Sequence, residues 1–230
     1  MEILGVSIDA RLSMDECILQ CATSASWKLK SVVRTRRFFS DAELVQLFKT
    51  HLLSYIEYRT PAVYHATTTA LRPLDRVLQR FLRQLGISDR EALLEFSLAP
   101  LSVRRDVAML GLIHRSVLKK GPLHFAKFFV LEKLGPVYKQ TRAMDRRHSR
   151  TLVDPLRGPH LEIAKRSALG LIAVYNMLPK NVVCNNSLAG FQTALQAMLK
   201  QRVEQGDPDW QRLLSPRHDF LSPHPLVKVH

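Results

Sequence analysis

The stretch Leu71–Gly86, LRPLDRVLQRFLRQLG, constrains this chain more than any other. On a helix of about 100° per residue, Leu74, Val77, Leu78, Phe81, Leu82 and Leu85 fall within an arc of roughly 140°. Arg72, Arg76, Arg80 and Arg83 fall within roughly 80° on the other side. The apolar arc has the width of an ordinary core-facing stripe. The opposite arc is a row of guanidiniums, and Asp75 at its edge answers only one or two of them. Such a row repels itself unless water or something anionic lies against it. A fold built on this helix buries one face and leaves a cationic one to be accounted for.

Most of the remaining chain also reads as helix. Ile18, Cys21, Ala22, Ala25, Leu29, Val32 and Val33 recur at helical intervals from Met14 to about Arg34, with Ser13 and Glu16 spaced as a capping box. Ser40 and Glu43 open a second helix to about Tyr58, whose apolar face is Leu44, Leu47, Phe48, His51, Leu52, Tyr55 and Ile56 and which Pro61 ends. The central helix follows Thr67-Thr68-Thr69, with Pro73 in its first turn and Gly86 just past its end. Ser88 and Glu91 start a short helix to Phe96. Residues 100–120 are apolar over a wide arc (Val103, Val107, Met109, Leu110, Leu112, Ile113, Val117), so that helix is expected to be mostly buried. Helical periodicity returns over 161–177, and Ser187 caps a last helix over 188–203.

Glu2–Asp9 is the only convincing strand, with a turn at Asp9-Ala10-Arg11. Residues 139–159 carry Arg142, Arg146, Arg147, Arg150 and Arg157 among polar residues and read as a mobile basic linker. From Gly206 the chain has prolines and no period, which predicts a poorly ordered tail. The expected fold is therefore mainly α, about six or seven helices with one short N-terminal strand. It divides into a strand and first helix (1–39), a helical core (40–128), a basic linker (129–160), C-terminal helices (161–203) and the tail (204–230).

Lys and Arg number 34 against 20 Asp and Glu, a formal net charge of +14. That excess favours nucleic acid, an anionic surface or an acidic protein as partner. The most apolar run, Ala168–Leu178, is about half a membrane span and contains Asn176. The N-terminus has neither a basic n-region nor an apolar h-region, and Cys17, Cys21 and Cys184 do not make a disulfide framework. These features predict a nuclear or cytoplasmic protein, neither secreted nor membrane-bound. Its first residues read as the middle of a larger arrangement.

Few residues invite catalytic readings. Cys17 and Cys21 share a helix face and read as core thiols rather than zinc ligands, since no third ligand is spaced to join them. His218, His224 and His230 stand apart without thiols. His51 and His114 lie on apolar faces and read as satisfied core residues. Trp27, Tyr55, Tyr58 and Tyr64 offer ring faces for bases, although most aromatics here are expected in the core. Asp9 follows a strand, as the first metal ligand of a ribonuclease-H-type fold would, but the later acidic strands are missing. Neither a nucleophile–base set, a phosphate-binding loop nor a dinucleotide fingerprint is present, so no small-molecule substrate and no cofactor are expected for this chain.

Taken in order, LGVSIDARLS, LVQLFKTHLLSYIEYRTPAVYHA, LRPLDRVLQRFLRQLG and LAPLSVRRDVAMLGLIHRSVL resemble the region after the catalytic palm in reverse transcriptases of non-LTR (LINE-type) retrotransposons. The stretch RSALGLIAVYNMLPKNVVCNNSLAGFQTALQAML is similar to that family's C-terminal run, with Tyr175, Asn176, Leu178, Pro179, Ser187, Leu188 and Phe191 at its matching positions. The resemblance spans about residues 1–203. It implies the end of a palm, a helical thumb that holds template–primer duplex, and helices downstream.

The family polymerises DNA on RNA with an aromatic-x-Asp-Asp box and an earlier Asp holding two metal ions. This chain has no Asp-Asp pair. The resemblance therefore implies a piece without the active centre, with magnesium expected only in the absent palm. The zinc knuckle that the family often carries is also missing. What the resemblance leaves is a surface for RNA or DNA backbone. Arg72, Arg76, Arg80 and Arg83 would track phosphates, Arg104 and Arg105 would add charge, and Gly5 would let the backbone approach a primer strand. Gly5 is equally readable as a turn glycine. Lys28, Lys30, Arg34, Arg36, Arg37, Lys119 and Lys120 add charge without forming a comparable row. The alternatives are a basic helical protein–protein module with an acidic partner, and a retroelement relic with no activity.

Overall fold

The computed structural model describes residues 2–3, 5–132, 148–156, 162–217 and 224–226. The protein is mainly helical, with a short two-stranded antiparallel sheet at its N-terminus. It forms two compact units, Met1–Arg105 and Asp106–His230, in place of the five segments expected from the sequence. The first helix belongs with the central one because their apolar faces cover each other.

In the first unit, strands β1 (Glu2–Ile3) and β2 (Val6–Ser7) pair Glu2 with Ser7 and Ile3 with Val6. The single strand expected over Glu2–Asp9 thus folds back on itself at Gly5, whose φ of +72° is one that glycine adopts without penalty. Leu4 lies outside the described residues. Helix α1 (Asp15–Arg34) does not start with the Ser13–Glu16 box. Met14 stands at the helix start without a side-chain cap, and Asp9 holds the turn before it: its carboxylate accepts from the backbone N–H of Ser13 (2.8 Å) and of Met14 (3.2 Å), and from the Ser13 hydroxyl. Glu16 instead accepts from Gln20 one turn on, at 3.2 Å. The Ser13 hydroxyl, helped by the backbone donors, holds the Asp9 carboxyl below the usual carboxylate range. Asp9 is a structural residue.

Helix α2 (Asp41–Phe48) has the expected Ser40–Glu43 box, continues through a π turn at Lys49–Leu53, and resumes as α3 (Ser54–Glu57). The π turn advances the register, so Leu44, Val45, Phe48, Leu52, Leu53 and Ile56 are buried while His51 is exposed. His51 is not the core residue that regular periodicity suggests. Pro61 opens a short helix, α4 (Thr60–Val63), rather than ending one.

Helix α5 (Thr68–Leu85) is the central element. The Thr67 hydroxyl accepts from the Ala70 N–H at 3.1 Å, so the helix starts earlier than expected and Pro73 lies in its second turn. At its end Gly86 takes φ 70°, with Gly86 N–H to Arg83 O (3.3 Å) and Ile87 N–H to Leu82 O (3.1 Å) closing the carbonyls. Leu71, Leu74, Val77, Leu78, Phe81 and Leu82 are buried, and Phe81 stacks on Phe48 at 4.4 Å between ring centroids. Helix α6 (Asp89–Phe96) carries the Ser88–Glu91 box. Cys17 and Cys21 are buried in this core, and burial raises the Cys21 thiol pKa.

Helix α7 (Leu101–Val117) spans the unit boundary. The second unit continues with α8 (Glu162–Lys165), α9 (Leu171–Met177), α10 (Lys180–Val183) and α11 (Leu188–Glu204), the last capped by Ser187 as expected. Residues 148–156, expected in a mobile linker, are packed: His148, Thr151 and Leu152 are buried, and Leu152 bridges to Leu131. Arg150 is held at Val183 O (2.6 Å), Asn185 O (2.8 Å) and Asn186 Oδ1 (2.6 Å). Lys139, Arg142, Arg146, Arg147 and Arg157 lie outside the described residues. In the expected tail, Trp210, Leu213 and Leu214 are buried, because apolar spacing too short for a long helix still suffices for a packed 3-10 turn. His218 and His230 lie outside the described residues.

Candidate nucleic-acid interface

The features that bear on function sit on α1 and α5, in the first unit. Burial of the Leu/Val/Phe stripe fixes the rotation of α5, and that rotation carries Arg72, Arg76, Arg80 and Arg83 outward. All four are exposed. None forms an ion pair with a carboxylate among the described residues. Successive arginines at i and i+4 rise by about 6 Å along the axis. The face is thus a line of guanidiniums, uncompensated among the described residues and about 16 Å long from Arg72 to Arg83.

Asp75 does not serve this row. It turns to α7 and accepts both Arg105 guanidinium nitrogens, at 2.8 and 3.1 Å. The Arg105 side chain is only 7% exposed and its Nε has no partner among the described residues, so it cannot reach a ligand. Arg104 is likewise engaged, with Nε and Nη2 at 2.5 and 3.1 Å from the two oxygens of Glu57. Both arginines were expected to add charge to a binding face. Their long side chains reach carboxylates 47 and 30 residues away in sequence and hold the start of α7. Gly5 sits in the hairpin turn, and no atom lies within 4 Å of where its Cβ would be. Its positive φ alone accounts for a glycine there.

Beside the arginine row, α1 and α5 enclose an open groove of about 370 Å³. Its floor includes Ala22 and Ser26 of α1 and Val77 of α5; its rims carry Leu19, Trp27, Lys30, Arg76 and Arg80. It continues past Lys30 and Arg80 to Arg34 and Gln84. Trp27 is 63% exposed, and the Lys30 ammonium rests 4.1 Å from its ring centroid. Among the described residues no acidic side chain lines either stretch. In the sequence Trp27, Lys30 and Arg34 stand as scattered residues. Their grouping needs α1 laid along α5, and the only advance signal was the phase of Trp27, off the α1 apolar stripe.

The second unit holds a different polar cluster, built inward. His114 is fully buried, stacked on Phe191 at 4.0 Å, with Nε2–H donating to Asn185 O (2.9 Å) and Nδ1 accepting from the Tyr175 hydroxyl (3.0 Å). His148 Nε2–H donates to Tyr175 O at 3.1 Å, and its Nδ1 accepts from the Arg150 N–H at 3.2 Å. Burial pushes both imidazole pKa values down and the Tyr175 phenol up. Every ring nitrogen is satisfied, so His114 is the core histidine expected from the sequence.

Among the described residues no three His, Cys, Asp or Glu side chains come together as metal ligands would. No described helix is long and apolar enough to cross a membrane. No family model, curated protein or solved structure matches the chain.

Proposed function

We propose that this chain is a nucleic-acid-binding module of reverse-transcriptase thumb type, which holds RNA or DNA backbone through the α5 arginine row and carries no polymerase active centre of its own. The observation that carries the proposal is the exposed line Arg72, Arg76, Arg80 and Arg83, with no carboxylate partner among the described residues, while Asp75 neutralises a buried arginine instead. A phosphate backbone supplies what such a line lacks: regularly spaced anions that accept from planar guanidinium forks. The contacts available are to phosphate, so recognition follows charge and shape rather than base sequence. The resemblance to the non-LTR family and the net charge of +14 point the same way.

The direct test is charge reversal on the exposed face. Arg76→Glu combined with Arg80→Glu should abolish binding of a labelled RNA–DNA duplex while the far-UV circular dichroism stays unchanged. Unchanged duplex affinity in that variant sinks the proposal.

A further inference from the structure

We propose that the α1–α5 groove holds a single-stranded stretch of nucleic acid, with one base stacked on Trp27 and neighbouring phosphates on Lys30, Arg34, Arg76 and Arg80. This rests on the phosphate-binding reading of α5 and extends it from a charged line to a built site.

Trp27 is the first support. A tryptophan exposed over 63% of its surface keeps a large apolar ring in water, yet Leu29 two residues on is buried. The ring stands on the rim of a groove whose charged side chains are all cations. Aromatic ring plus backbone-tracking cations is the combination that takes unpaired nucleotides, because each base offers a π-face and each linkage a negative charge. Lys30 already rests on the ring. A base arriving on Trp27 displaces that ammonium onto the phosphate beside it, so no charge is left stranded.

Size and shape choose between strands. From Leu19 to Arg34 the groove follows sixteen residues of α1, a rise of about 22 Å, which is the length of a few extended nucleotides. A duplex keeps its bases stacked inward and presents no free face except at its ends, so it offers little to stack on Trp27. Duplex then rides on the outward arginines while an unpaired extension of it lies in the groove. An acidic amphipathic helix is the competing occupant by charge. It needs a ladder of apolar anchor pockets at three- and four-residue spacing. Here the large apolar groups exposed on the rim are two, Leu19 and Trp27, eight residues apart, while Val77, Leu29 and Val33 line the groove buried or half-buried and leave no pocket between them for a ladder of anchors.

The test uses the full chain with a twelve-nucleotide single-stranded oligonucleotide and a blunt duplex of equal length, at one fixed salt concentration. Trp27→Ala should weaken single-strand binding by about tenfold or more, with duplex affinity within twofold of wild type. Trp27→Phe should recover most of the loss. Single strand, and not duplex, should quench the Trp27 emission; Trp210 is buried and shielded from such contact. If Trp27→Ala leaves single-strand affinity unchanged while the Arg76/Arg80 reversal weakens both ligands, the groove proposal fails and the phosphate face stands. If wild type binds neither ligand, both fail. If an acidic amphipathic peptide binds in a Trp27-dependent way and the oligonucleotide does not, the groove is a protein-docking site and the proposal is overturned.

Discussion

Asp75 gives both of its carboxylate oxygens to Arg105, at 2.8 and 3.1 Å, although it stands one residue from Arg76 on the same helix. The pair joins α5 to the start of α7 and decides the charge of the α5 face. By neutralising a side chain that is 7% exposed, Asp75 leaves Arg72, Arg76, Arg80 and Arg83 with no carboxylate partner among the described residues.

Asp75→Ala should therefore destabilise the protein more than an ordinary surface substitution does. It strands a buried guanidinium whose Nε already lacks a partner, and removing one member of such a pair costs about 3 kcal/mol. Glu57→Ala, which frees the more exposed Arg104, should cost no more than about 1 kcal/mol. Urea unfolding of the two variants checks the ordering, and equal losses would contradict it.

Phe81→Ala should cost about 3–5 kcal/mol, because it removes a ring that is 1% exposed and stacked on Phe48. Phe48→Leu, which keeps most of the volume, should cost clearly less. Thermal melts compared at one pH distinguish the two.

Acid should weaken the second unit in a defined window. Burial depresses the folded-state pKa of His114 and His148 below the usual 6.5, so the folded form resists protons that the unfolded chain accepts. Their contribution is complete above about pH 6.5 and is lost as pH falls from there toward the folded values. Asp9 acts lower: its folded pKa lies below 3.8, so its contribution is lost only as pH drops below that range. Melting temperature should fall between pH 7.5 and 5 in wild type. A profile flat over that interval would contradict the histidine assignment.

The helix caps offer a smaller, cleaner check. Ser40→Ala and Ser88→Ala each remove a hydroxyl that accepts the N3 amide, at 3.4 and 3.2 Å. Each should lower stability by about 1 kcal/mol, additively, since the two boxes share no partner. Chemical denaturation of the double variant measures the sum.

Much of this molecule is legible in its sequence, and the limits have physical causes. The α5 stripe, its Thr67 region, Gly86 and the Ser40 and Ser88 boxes are local, so spacing along the chain suffices. His51 is exposed where regular periodicity predicts a core position, because a π turn changes the period and KTHLL carries no local signal for one. The Ser13–Glu16 box does not form because the Ser13 hydroxyl turns back to Asp9 across the preceding turn, and Met14 enters the helix without a side-chain cap. Arg104 and Arg105 found Glu57 and Asp75 across 47 and 30 residues, a separation periodicity does not see. The groove arises only when α1 lies along α5, which no single helix encodes.

The salt dependence of nucleic-acid affinity bears most directly on the central claim. If the α5 row neutralises about four phosphates, the slope of log affinity against log salt should lie near −3 to −4, so that raising salt from about 50 to about 200 mM costs on the order of a hundredfold. Arg76→Glu with Arg80→Glu should flatten that slope by about two. Affinity indifferent to salt, or a slope the double variant leaves untouched, would contradict the account.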